Sequence, residues 1–162
     1  MGTKMGTTVA AGTVMAAING LLAVAMGAIG AHGGSGEHSA TSITTGSTFQ
    51  LAHAGALVGL AALADRTPSI GRGRVLLSGA VWLIGPGAAV FAVALYASAF
   101  GTAVAGAAPF GGLAMIAGWC LLLAYGVRSI AVPAKSSRPS VRSTWRSTGE
   151  RRPPDSGTGS GP

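Results

Sequence analysis

The chain has 162 residues, of which 49% are hydrophobic and only 9% charged, with 27 glycines and a net charge of +7. Soluble globular domains carry about a quarter charged residues, so this composition excludes an ordinary water-soluble domain. Mean hydropathy is +0.53 although the last thirty residues are strongly polar, so the remainder is more apolar still, and bilayer-crossing segments take precedence over a soluble core.

The first apolar run covers about residues 9–31. At 1.5 Å per residue it reaches roughly 33 Å, enough for a hydrocarbon layer of about 30 Å. Asn19 lies near its middle, where an unpaired amide is costly, so it is expected to face another helix in a hydrogen bond of about 0.6–2 kcal/mol. Ala23, Gly27 and Ala31 recur every four residues and place small side chains on one face. A cleavable signal peptide would also begin with a positive charge and an apolar run, and Ala28 and Gly30 would suit a peptidase. The run is longer than the 7–15 residues of a typical signal core, which favours a retained span.

The second run, Phe49 to Ala64, is too short alone and is extended upstream into TSITTGST, giving a span of about 42–64. Serine and threonine there return hydrogen bonds to their own backbone. Gly55 and Gly59 form GALVG, a second small-residue face. The third span, 75–100, contains Gly85-Pro86-Gly87 near its midpoint. Pro86 cannot donate to the Trp82 carbonyl, so a kink is expected, with the freed carbonyl met by a neighbouring helix or water. Broken helices at such depth also form transporter sites. The fourth span covers 110–132 and contains the sole cysteine, Cys120. A lone thiol in an apolar run excludes an internal disulfide or a thiolate cluster and reads as packing. Trp82, Tyr96, Trp119 and Tyr125 lie on the last two spans; those near span ends suit headgroup anchoring, the others packing. Residues 133–162, rich in Ser, Pro, Gly and Arg, have too little to bury and are expected to form a disordered basic tail.

Charge placement orients the chain. Lys4 precedes the first span, Arg66, Arg72 and Arg74 fall between the second and third, and Arg128 and the tail hold the other seven basic residues, while links 32–48 and 101–109 hold none. All eleven lie on one side of a four-span chain, which predicts a short cytoplasmic N-terminus over residues 1–8 and a cytoplasmic C-terminus. Topology explains a pI near 11.2 without nucleic acid.

Chemistry-bearing residues are sparse. His32, His38 and His53, with Glu37, fall between the end of the first span and the early second, on the outer side. Imidazoles and a carboxylate can bind a transition metal or relay protons, but no short H-x-x-x-H spacing occurs, and backbone hydrogen bonding is the preferred reading. No P-loop, dinucleotide fingerprint or G-x-S-x-G elbow is present, and four acids in the chain argue against paired-carboxylate catalysis. No catalytic residue and no cofactor is therefore assigned.

NGLLAVAMGAIGAHG (19–33), TGSTFQLAHAGAL (45–57), FAVALY in the third span, and PFGG with GW (109–112, 118–119) together resemble the family of small bacterial membrane proteins known as domain of unknown function 423, over roughly residues 15–130. The resemblance implies a four-helix membrane protein and places the family motifs on Asn19, Gly20, Gly27, Gly30, His32, Gln50, His53, Tyr96, Pro109, Gly111, Gly112 and Trp119. The chain departs from the pattern at Phe49, Gly55, Pro86 and Ala92 to Ala94. The fold expected is thus all-α, an integral membrane four-helix bundle. The function expected is a non-catalytic packing or accessory component, in a homo-oligomer or larger membrane complex. A small permease or channel using Asn19, His32, His53 and the Pro86 break is the alternative, and an outward metal-binding protein the second.

Overall fold

The computed structural model describes residues 6–32, 36–102 and 106–131. They form four helices, α1 (Thr7–His32), α2 (Glu37–Arg66), α3 (Arg72–Ala99) and α4 (Ala108–Ala131), with no strand among the described residues. Each helix is long and apolar enough to cross a membrane. At 24 to 30 residues they measure about 36–45 Å, longer than the ~30 Å hydrocarbon layer. The expected tail over 133–162 and Lys4 lie outside the described residues.

Helix ends follow from local chemistry. α2 begins at Glu37, five residues before the expected start at 42. The Glu37 carboxylate suits the positive end of the helix dipole, and Thr41 Oγ1 donates to the Glu37 carbonyl at 2.9 Å. Ser47 Oγ likewise donates to the Thr44 carbonyl at 3.1 Å, so the hydroxyl-rich stretch satisfies itself without breaking the helix. α3 begins at Arg72, behind Gly71 with φ +124°, a backbone conformation that side chains disfavour. Pro109 is in the first turn of α4, where a missing N–H costs nothing.

α3 is the central helix. It packs against α1, α2 and α4, α1 also packs on α2, and the backbones of α1 and α4 do not meet. Leu57, Leu77, Val81 and Ile84 are fully enclosed, and with Leu60, Ala61, Ala64 and Ala80 they form the main core. Ile43, Ala92 and Tyr96 form a second cluster toward the other end. Outward faces are as apolar as the inside: Leu21, Phe110 and Leu123 are more than two-thirds exposed. So much exposed apolar surface is unfavourable in water and matches lipid as the solvent. Cys120 is exposed on α4, so it is not the packing residue expected from the sequence.

The α3–α4 seam depends on glycine. A Cβ on Gly111 would stand 2.5 Å from Phe91 N and 2.7 Å from the Gly87 carbonyl, and one on Gly118 would stand 2.5 Å from Ile84 Cγ1. These residues and Met115 are the buried positions of α4. In hydrocarbon no hydrophobic force drives helices together, so close backbone contact supplies the attraction.

The two ends of the bundle differ in chemistry. Arg66, Arg72, Arg74 and Arg128 occupy one end, and His32, Glu37 and His38 the other. At the arginine end Arg74 donates to the Ala64 carbonyl, closing the last turn of α2, and Thr67 Oγ1 pairs with Tyr125 Oη at 3.0 Å. At the opposite end Ser39 Oγ donates to the Ala99 carbonyl at 2.9 Å, tying the start of α2 to the end of α3.

Candidate functional site

Three polar side chains from three helices meet in the apolar interior. Asn19 is at the middle of α1, 2% exposed, and Gln50 near the middle of α2 is fully buried. Asn19 Nδ2 donates to the Met15 carbonyl one turn back at 2.8 Å and reaches the Gly85 carbonyl of α3 at 3.4 Å. Asn19 Oδ1 accepts from Gln50 Nε2 at 3.2 Å, and Gln50 Oε1 accepts from Tyr96 Oη at 2.8 Å. Donors and acceptors alternate along this chain, and no buried side-chain nitrogen or oxygen lacks a partner among the described residues. In a bilayer an unpaired polar group costs several kcal/mol, so the three groups hold their helices together through the penalty of separating them.

Tyr96 does not anchor at headgroup level as its position near the span end suggests; it turns inward, and its ring lies over Gly46, where a Cβ would stand 2.8 Å from Tyr96 Cε1. The sequence marks Tyr96 through the family motif, but periodicity alone does not reveal its pairing with Gln50. Gly46 was not singled out at all. Its position four residues before Gln50 on the same helix face is the signal that could have found it.

A second polar contact joins α2 to α4. Trp119, at the centre of α4, donates its indole N–H to His53 Nε2 at 3.2 Å, and His53 Nδ1 is 2.7 Å from the Phe49 carbonyl. The two bonds together assign the neutral ring with its proton on Nδ1. Phe49 and Phe91 complete the aromatic group, with ring centroids 5.2 Å apart, and His53 meets Trp119 edge-on at 6.1 Å. An indole N–H in mid-membrane needs such an acceptor, and this bridge compensates for the absence of backbone contact between α2 and α4.

The remaining histidines are elsewhere. His32 closes α1 and is exposed, as are Glu37 and His38 at the start of α2. His53 is fifteen residues further along α2 than His38, ~22 Å by helical rise, so the three imidazoles do not share a ligand. Among the described residues no group of three His, Cys, Asp or Glu could hold a metal ion. The described acids, Glu37 and Asp65, are at opposite ends of α2, ~42 Å apart by rise, and form no carboxylate pair.

Small residues divide into packed and free. Gly30 is tight against Ile43, whereas Gly20 and Gly27 leave ordinary contact distance to Ala54 and Ser47. Gly112 has only Phe91 Cδ2 at 4.0 Å. A Cβ added to Gly55 or Gly59 would meet nothing within 4 Å among the described residues. The edge of α2 that carries Gly55 and Gly59 therefore points outward, because four-residue spacing defines a common face but not its direction. α3 continues as one helix through Pro86, whose ring is exposed.

Four apolar spans, an interior clasp of amides and a phenol, and lipid-facing surfaces define a multi-span helical membrane protein. The chain belongs to the family described as "Protein of unknown function (DUF423)", whose pattern matches residues 26–112. It is 35% identical over 120 residues to the UPF0382 membrane protein YwdK of Bacillus subtilis (strain 168), covering 71% of this chain and 94% of that protein. No solved structure matches. No enzyme activity is indicated by the family or by this relative.

Proposed function

We propose that this protein is a non-catalytic component of the bacterial plasma membrane, with both termini cytoplasmic, that acts by packing its outer helix faces against other membrane proteins or further copies of itself. The observation that carries this reading is the closed Asn19–Gln50–Tyr96 chain. Its polar groups are spent on each other and on backbone carbonyls, leaving nothing presented to a substrate. Gln50 has no exposed surface, so a conducting path through these side chains would have to open the clasp first. The clustering of Arg66, Arg72, Arg74 and Arg128 at one end supports the orientation, since positive charge stays on the cytoplasmic side. Outward-facing Gly55 and Gly59 offer a face on which another helix could approach closely.

Purification of the full chain in mild detergent, followed by mass spectrometry of what accompanies it, tests the proposal. A defined oligomer or a reproducible stoichiometric membrane partner is expected. A strictly monomeric particle without partners contradicts it.

A further inference from the structure

One side of α3 is left uncovered because α1 and α4 flank it without meeting. Along it, three surface hollows follow one another. The first, of about 630 Å³, has a polar mouth of Thr7, Ser69, Arg74 and Ser78 and narrows to Trp82. The second, about 290 Å³, shares Trp82 and continues past Pro86 and Val90 to Phe110 of α4. The third, about 340 Å³, shares Val90 and extends to Val93. Trp82 borders the first two hollows and Val90 the last two, so they lie in one row along α3, a segmented groove with a cationic, hydroxyl-lined mouth at the arginine end and an apolar floor. From Ser78 to Val90 it runs ~18 Å by helical rise, close to the ~15 Å of half a hydrocarbon layer.

We propose that this groove holds one anionic phospholipid, with its phosphate at Arg74 and the Ser69 and Ser78 hydroxyls and one acyl chain lying along Trp82, Pro86 and Val90. Among the described residues Arg74 uses one N–H, on the Ala64 carbonyl, and the other N–H groups of its five-donor fork suit phosphate oxygens. The guanidinium charge of Arg74 at the mouth favours a headgroup with net negative charge over a zwitterionic one. The inference concerns lipid and stands apart from the choice of protein partner.

Native mass spectrometry of the purified full chain, offered phosphatidylglycerol and phosphatidylcholine in equal amounts, tests it. The expected result is a one-lipid adduct at least tenfold richer in phosphatidylglycerol. Arg74→Gln should abolish that preference. Arg128→Gln removes the same charge from the same end without touching the groove and should keep it. Val90→Trp, which fills the apolar floor, should reduce retention of both lipids while leaving the mouth intact. Equal adducts in the unmodified protein overturn the proposal, as does equal loss in Arg128→Gln, or a second copy of the chain in place of the lipid. Should Arg74→Gln fail to fold because α2 loses its closing contact, the Val90→Trp variant decides: undiminished retention there overturns it.

Discussion

Gly111 and Gly112 are neighbours in the first turns of α4, yet alanine should act oppositely at the two. At Gly111 an added Cβ meets Phe91 N at 2.5 Å, the Gly87 carbonyl oxygen at 2.7 Å and Phe91 Cα at 2.9 Å. All three are backbone atoms, so no rotamer change relieves the overlap. Reaching the usual separation of about 3.5 Å requires α4 to retreat from α3 by ~1 Å. Overpacking of this kind costs about 1–3 kcal/mol, with the upper end expected because the seam's other close contacts open too. At Gly112 the nearest atom is 4.0 Å away, and alanine there brings only the gain in helix propensity, about 1 kcal/mol. Both variants share that gain, so the stability difference between them isolates the seam: Gly112→Ala should exceed Gly111→Ala by about 1–3 kcal/mol. Reversible unfolding in mixed micelles, followed by Trp82 and Trp119 fluorescence, measures it. Equal stability of the two variants would refute the close approach at Gly111.

Other outcomes follow from the polar contacts and the outward glycines. Tyr96→Phe removes the donor to Gln50 and should cost about 1–3 kcal/mol, and a double-mutant cycle with Gln50→Leu should return a coupling of about 0.6–2 kcal/mol; zero coupling would mean that the pair does not interact. Trp119→Phe should lower stability by about 0.5–1.5 kcal/mol in the normal background and by much less when His53 is already alanine. Gly55→Leu should leave the unfolding of the isolated chain unchanged while reducing oligomer or partner recovery on co-purification; a large loss of intrinsic stability would show that this face packs inside the bundle after all.

Span positions were legible because the bilayer imposes length and hydropathy directly on the chain. The expected runs 9–31, 75–100 and 110–132 fall within three residues of α1, α3 and α4 at each end, and the hydroxyl-rich entry to α2 was anticipated from the ability of Ser and Thr to bond their own backbone. The need of Asn19 for a partner was equally readable, since an amide in hydrocarbon must be satisfied. Its partner was not. Which of Gln50, His53 or Tyr96 meets Asn19 depends on how three helices slide and rotate against one another, and one sequence contains that only through the summed packing of the core. The same limit explains Gly55 and Gly59: their spacing is identical to that of Gly111 and Met115, yet one pair faces outward and the other is buried in a seam. Histidines close in sequence number suggested a cluster, but helix geometry carries His53 deep along α2, away from His38, to serve Trp119 instead.

The central claim is a chain crossing lipid four times with its arginine end inside the cell and its histidine end outside. Single cysteines at His38 and Ser69, introduced after Cys120→Ala, can be probed with a membrane-impermeant thiol reagent on intact cells. The account predicts labelling of the position-38 cysteine in intact cells and of the position-69 cysteine only after permeabilisation. Labelling of both in intact cells, or of the position-69 cysteine alone, would contradict it.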